Sequence, residues 1–356
     1  MAGAGGMGGN GGVECVDDGQ GSCEPWWNKN YTLRRRIVVT PAGNPQAVTD
    51  FPWLIRIDAT HIDYAKTSAQ GADLRFVAAD GKTLLAHEIE AWNVNNTSYV
   101  WVRLPNIPAE GTGEVTIWMY YGNSVDNLPK PHAPSDTWNP GFVSVHHLHN
   151  SFADSTSGNH DGMSPTAPTS TAGQIANGMS FDGFDDQINL PKEADFDFNT
   201  NMTVSAWVAV KNFTKEWQSL VTKGDNSWRI QRLGQSNSLA FATSSPGGPN
   251  DNFGGTVNLV DNTFHHIVIV YNGAKKRIYD NGALDVEKDF TLDILKNNYE
   301  VCIGNNLQYA DRQFEGQMDE VRISDVPRPA SWVALEYNNV MKDQMTAWSN
   351  DQVPPP

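Results

Sequence analysis

The sequence predicts an all-β chain folded as two β-sandwich domains. Three observations carry that prediction: short runs in which apolar and polar residues alternate, turn-forming pairs between those runs, and helical periodicity in only one place. The composition agrees, because 12 Trp with 31 Gly and 20 Pro suit pleated, half-buried surfaces joined by tight turns. A length of 356 residues is enough for two separate cores.

Residues 1–25 are glycine-rich and acidic without Lys or Arg, and they are expected to form a flexible leader. Cys15 and Cys23 stand close enough in sequence to close a small loop there, which hints at an oxidising compartment. Residues 26–127 hold the first set of strands. Trp53 to Asp58 and Tyr99 to Leu104 alternate as half-buried strands do, and Asp80-Gly81 is a hairpin signal. Residues 128–141 carry Pro129, Pro131, Pro134 and Pro140 and read as a stiff linker. Residues 142–348 repeat the strand texture. Val204 to Val210 and His266 to Tyr271 alternate, and Asp280-Asn281-Gly282 has the chemistry of a type I′ turn. Cys302 lies in an apolar strand, where a buried free thiol is expected. Only Pro329 to Gln344 has helical spacing, and residues 349–356 are a tail.

Net charge at pH 7 is −16, with Lys and Arg scattered along the chain. Such a surface repels a phosphate backbone, so nucleic acid is not an expected partner. It does suit divalent cations. No apolar run approaches the roughly 20 residues a membrane-spanning helix needs, so no membrane span is expected.

Seven segments in order give the second domain a recognisable character. They are His146-His-Leu-His149, Asp154 to Gly162, Gly178 to Asp186, Val204 to Val208, Leu220 to Gly224, Phe264 to Val268 and Gly316 to Ile323. Over about two hundred residues they resemble the laminin-G-like members of the concanavalin A-like lectin and glucanase superfamily, which implies a jelly roll. The first domain, through Trp27 to Tyr31, Gly71 to Phe76, Trp101 to Pro105 and Trp118 to Asn123, resembles a bacterial domain of unknown function that commonly precedes such a module. The glycine-rich leader resembles spacers that follow bacterial lipoprotein anchors. A secreted or surface-anchored bacterial protein, its export signal removed, is therefore expected.

A hydrolase of this superfamily would carry two glutamates flanking an aspartate at alternate positions of one strand. Glu193-Ala-Asp-Phe-Asp197 lacks the second glutamate and reads as a solvated acidic loop, and Glu315, Asp319 and Glu320 have the wrong spacing. There is no Gly-x-Ser-x-Gly. His146, His147 and His149 could bind a metal, but a structural strand is the favoured reading. Of His265 and His266, one is expected inside and the other exposed. The resemblance implies a structural Ca²⁺ held by Asp154 and Asn159 from the entrance loop and Asp319 from the last strand.

Sugars need aromatic faces for their C–H surfaces and planar amides or charged groups for their hydroxyls. Trp217, Trp228, Asn306, Tyr309 and Arg312 lie in loops that offer both. The expected function is non-catalytic recognition of a polysaccharide or glycoconjugate. Two alternatives stand beside it: a structural, adhesive or filament-forming role with other surface proteins or itself as partner, and a glycan-active enzyme with an unfamiliar site.

Overall fold

The computed structural model describes residues 15–17, 23–123, 134–138, 140–248 and 250–355, and its regular structure is mainly strand. The side chains of Cys15 and Cys23, most of the leader and residues 128–133 of the linker lie outside the described residues. Cys302 is buried and free, and burial pushes its thiol pKa far up.

The first sandwich has a sheet of three strands, β1 (Val48–Ile57), β2 (His87–Ala91) and β3 (Ser98–Ile107), paired in the order β1–β3–β2. Its second sheet contains Leu33–Val39, Val115–Tyr121, Arg75–Ala78, Leu84–Leu85 and, at one edge, Thr346–Trp348. Alternation aims Trp53, Ile55, Val100 and Val102 from one sheet at Ile37, Phe76 and Met119 from the other. The Asp80-Gly81 turn forms as expected, with Gly81 at φ 65° and Asp80 Oδ1 accepting from the Lys82 and Thr83 amides.

The C-terminal segment reaches from the second domain to the first. A helix at Ala330–Met341, where the sequence places one, sinks Trp332 and Leu335 into the first core. Thr346–Trp348 then pairs with Leu33–Val39. Residues 330–352 thus bridge the two sandwiches, because the same helix packs Val333 on Val268, Val270 and Tyr279 and stacks Tyr337 on Trp207 of the second. The helix also seals an edge. The Asn339 side chain accepts from the Leu54 amide at 2.6 Å and donates to its carbonyl at 3.1 Å, occupying hydrogen-bonding groups that β1 would otherwise expose.

The second sandwich has an eight-stranded and a six-stranded sheet. The larger contains β4 (Phe142–His146), β5 (Asn201–Ala209), β6 (Phe264–Asn272) and β7 (Glu315–Ser324). The smaller runs Ile188–Leu190, Val301–Ile303, Ser219–Thr222, Trp228–Arg232, Leu239–Thr243, Asp251–Gly254. Their shared core includes Val204, Trp228, Ile230, Phe241, Ile269 and Val321. The Asn281-Gly282 pair takes φ of 50° and 79°, the double positive φ of a type I′ turn.

The other face of the eight-stranded sheet packs on the first domain. Leu54 and Trp101 of the first sandwich meet Val145 and Trp207 of the second, with Trp138 wedged among them. Trp138 comes from the linker, whose Pro134–Thr137 stretch makes one helical turn.

Candidate functional site

Along Trp228–Arg232 the alternation of a strand decides which groups face the core. Trp228 and Ile230 point inward, so Arg229 and Gln231 lie on the outer face of the six-stranded sheet. Register places Ala242 and then Asn252 beside Arg229, and Ala240 and then Gly254 beside Gln231. Small residues keep this floor low between the longer side chains.

Although they lie on the outer face, Arg229 and Gln231 are only 1% and 3% exposed. Their hydrogen bonding is incomplete. Arg229 Nη1 donates to the Asp225 carbonyl at 2.6 Å, and its Nε lies 3.5 Å from Asp225 Oδ1. Arg229 Nη2 and Gln231 Nε2 both reach Asn252 Oδ1 only at 3.5 Å, the outer limit of a hydrogen bond. Arg229 Nε, Gln231 Oε1 and Ser227 Oγ are buried without a partner. Each such group costs about 1–3 kcal/mol, and a ligand that paired them would recover that cost.

The loop 305–313 borders this floor. Asn306 Nδ2 donates to Asp225 Oδ1 at 2.9 Å, and Gln308 Oε1 accepts from the Asp225 and Asn226 amides. The Arg312 guanidinium lies 5.9 Å from the Tyr309 ring centre and donates to the Glu216 carbonyl at 3.3 Å, while its Nε is buried without a partner. Tyr309 is 50% exposed. Burial lowers the Arg229 pKa; the Asp225 charge opposes this and the neighbouring Arg312 charge adds to it.

Of the five residues the sequence offers for sugar binding, the structure brings Asn306, Tyr309 and Arg312 together. Trp217 stands at their border, half-buried at φ 58°, with its ring near Gly234. Trp228 is not part of the site. It is fully buried, packs against Phe198 and donates Nε1 to the Phe196 carbonyl at 3.0 Å. Arg229 and Gln231, which the sequence reading passed over, were readable from the Trp-Arg-Ile-Gln-Arg alternation.

The residues expected to hold calcium are engaged separately. Asp154 accepts from the Val145, Thr156 and His160 amides, the Thr156 hydroxyl and His160 Nδ1. These donors hold its pKa far down against the effect of burial. Asn159, at φ 50°, donates to the Ser157 carbonyl. Asp319 is fully buried and accepts from the Ile175 amide, and burial together with the Glu320 charge raises its pKa well above the usual range. Elsewhere Asp182, Asp185 and Asp186 each bring an oxygen within 4.8 Å of the others, a grouping that could hold a cation. Burial, then the charges of Asp182 and Asp185, raise the Asp186 pKa, a strain that a divalent ion would relieve.

The acidic stretch read as solvated is a clamp. Glu193 and Asp197 flank the fully buried Lys223 ammonium at 2.8 and 3.1 Å. His265 and His266 are both buried. His265 sits between Asp280 and Asp261, and His266 against Trp207 and Tyr337. His146 bonds the Ser144 hydroxyl and the Phe152 carbonyl, as a structural strand histidine would.

His147 does more. Its Nδ1 lies 2.6 Å from Glu320 Oε1 and 3.5 Å from Glu90 Oε2, and its Nε2 lies 3.2 Å from Glu88 Oε2. The two β2 glutamates come from one domain and His147 and Glu320 from the other. Arg322 joins Glu320 at 2.5 Å and Glu336 at 2.9 Å beneath the rings of Trp101 and Trp138. Burial pulls the His147 pKa down, but Glu320, Glu88 and Glu90 raise it well above normal.

Comparison with known proteins agrees with this architecture. Residues 70–128 match the family model of a domain of unknown function (DUF2341), and residues 181–334 match that of the concanavalin A-like lectin/glucanases superfamily. The chain carries this pair of domains, in this order. No curated protein sequence matches. Among solved structures, the binding domain of Paraclostridial Mosquitocidal Protein 1 is similar with 18% identity and a TM-score of 0.49, over 57% of this chain and 53% of that one. Domain 4 of AbnA, an extracellular arabinanase of Geobacillus stearothermophilus solved with arabinotriose, has 18% identity and a TM-score of 0.47, over 55% and 97%. The binding domain of Botulinum Neurotoxin DC, solved with SialylT, has 13% identity and a TM-score of 0.43, over 56% and 51%. The chain thus spans about half the length of those toxin binding domains.

Proposed function

We propose that this chain is a non-catalytic recognition module for a polysaccharide or glycoconjugate, acting outside a bacterial cell. The ligand binds on the outer face of the six-stranded sheet, against the loop 305–313. One observation carries the reading: unpartnered polar atoms of Arg229, Gln231 and Ser227 lie buried beside a half-exposed Tyr309 and Arg312. An aromatic face beside planar, incompletely paired polar groups is the arrangement a sugar ring needs. The carboxylates best placed for hydrolysis have other partners, since Glu193 holds Lys223 and Glu315 accepts from the Thr214 hydroxyl. Asp319 and Glu320 are buried in the domain seam.

A glycan array followed by titration calorimetry tests this, with wild type and Tyr309→Ala compared. The expected result is retention of at least one polysaccharide class, weakened about tenfold by the substitution, equal to about 1.4 kcal/mol. Retention of no glycan, or affinity indifferent to Tyr309, would overturn the assignment.

A further inference from the structure

We propose that this outer face of the six-stranded sheet, with the loop 305–313, selects sugars bearing an oxyanion, either a uronate carboxylate or a sulfate ester. This rests on the glycan-binding reading above and narrows it to a ligand class. The argument begins with where positive charge collects. The chain has 25 Lys and Arg against 41 Asp and Glu, yet Arg312, whose loop borders the outer face that carries Arg229, lies close enough for Arg229 to feel its charge. Lys276 also feels the charge of Arg229. Around these cations, Asp225 lies against Arg229, and Asp251 is taken up by Lys276 at 3.0 Å and Lys288 at 2.7 Å. Glu216 gives Arg312 its carbonyl oxygen. Asp225 already accepts from Asn306 and pairs with Arg229, and Arg312 has no carboxylate within ion-pair distance among the described residues.

Asp225 offsets only the charge of Arg229, so the pair of guanidinium groups keeps a net positive charge that a further anion would offset. Arginine presents its donors as a planar fork, which matches the two oxygens of a carboxylate or the edge of a sulfate. Arg312 is half-exposed and can offer that fork to solvent, while Arg229 beneath it supplies a second, shielded positive charge. Tyr309 lies beside Arg312 and provides the apolar face for the ring that carries the anion. Asn252, exposed at the other side of Arg229, is placed for a sugar hydroxyl. The net charge of −16 opposes any acidic polymer at long range, so a preference for anions must arise from this local pair.

Titration calorimetry on the full chain tests the proposal with three oligosaccharide probes of equal length: an oligogalacturonate, a sulfated galactan and a neutral arabinan. At least one anionic probe should bind tenfold or more tightly than the neutral one. Arg312→Gln should erase that difference, and Arg312→Lys, which keeps the charge but loses the fork, should restore part of it. Melting curves of both variants establish that each folds. Preference for uronate or for sulfate would each support the proposal and name the source of the anion. Equal or tighter binding of the arabinan would overturn the anion preference while leaving glycan recognition intact. Binding of none of the three, with an empty glycan array, would remove both.

Discussion

The molecule buries charge in two places, and it treats that charge differently in each. In the seam between the domains, His147 and Arg322 are enclosed by Glu88, Glu90, Glu320 and Glu336, and each of these charges lies within 4 Å of an opposite one. On the outer sheet, Arg229 has one carboxylate nearby, Arg312 has none within ion-pair distance among the described residues, and several polar atoms lack partners. The seam pairs its charges internally, although Glu90 Oε1 and Asp319 Oδ1 are buried there without a hydrogen-bond partner, whereas the outer face leaves Arg312 without a carboxylate. A buried network of paired charges fixes one geometry, whereas incompletely paired groups beside exposed ones are suited to binding.

The largest expected effect belongs to the seam. His147→Ala would leave Glu88 and Glu320 facing each other across the domains without their shared cation. It should cost about 3–5 kcal/mol, the usual penalty for orphaning a buried charge. Because both domains supply partners, differential scanning calorimetry should show both melting earlier. Loss confined to the second sandwich would mean that the seam does not couple them.

Next in size is the response to pH. His147 is raised above its ordinary value, so the stability it confers is complete below about pH 6.5 and is lost as pH rises through its folded value. Glu90 and Asp319 are also raised, by burial and then by Glu320, so rising pH works against the folded state through them as well. Glu88 and Glu320 act at the other end. Burial opposes their ionisation, but His147 and, for Glu320, Arg322 hold them low, so their contribution is present above about pH 4.5 and is lost on acidification. Thermal stability should therefore peak between about pH 5 and 6.5 and fall by about 1–3 kcal/mol toward pH 9. A flat profile from pH 6 to 9 would show that these groups do not titrate with folding.

A substitution on the outer face should behave in the opposite way. Arg229→Met removes an incompletely paired buried guanidinium and should leave stability within about 1 kcal/mol of wild type, or raise it, while abolishing glycan binding. A loss of stability comparable to that of His147→Ala would make Arg229 structural. The smallest effect concerns the metal. Calcium should raise the melting temperature by a few degrees through Asp182, Asp185 and Asp186. Asp186→Asn should remove that response; an undiminished response would place the ion elsewhere, Asp154 included.

The fold was legible because alternation is local. Trp53 to Asp58, Val204 to Val210 and the Asn281-Gly282 turn need no knowledge of distant residues. The return of Thr346–Trp348 to Leu33–Val39 was not legible, because three residues give no period and their partner lies some three hundred positions away. The seam was hidden for the same reason: His147 reads as one histidine of a strand until Glu88 and Glu320 are brought to it. Loop composition was enough to single out Asn306, Tyr309 and Arg312, which the fold brings to one border of the outer sheet. Trp228 misled because a tryptophan near a loop looks available to sugar, although its strand partner Ile230 already assigned it to the core.

The most direct measurement is amide hydrogen exchange with and without a saturating oligosaccharide from the array. New protection should be confined to residues 225–231 and 305–313, with β2 and residues 319–322 of the seam unchanged. Protection that appears instead in the first sandwich or along the seam would contradict the division between an outer face that binds and a seam that fastens.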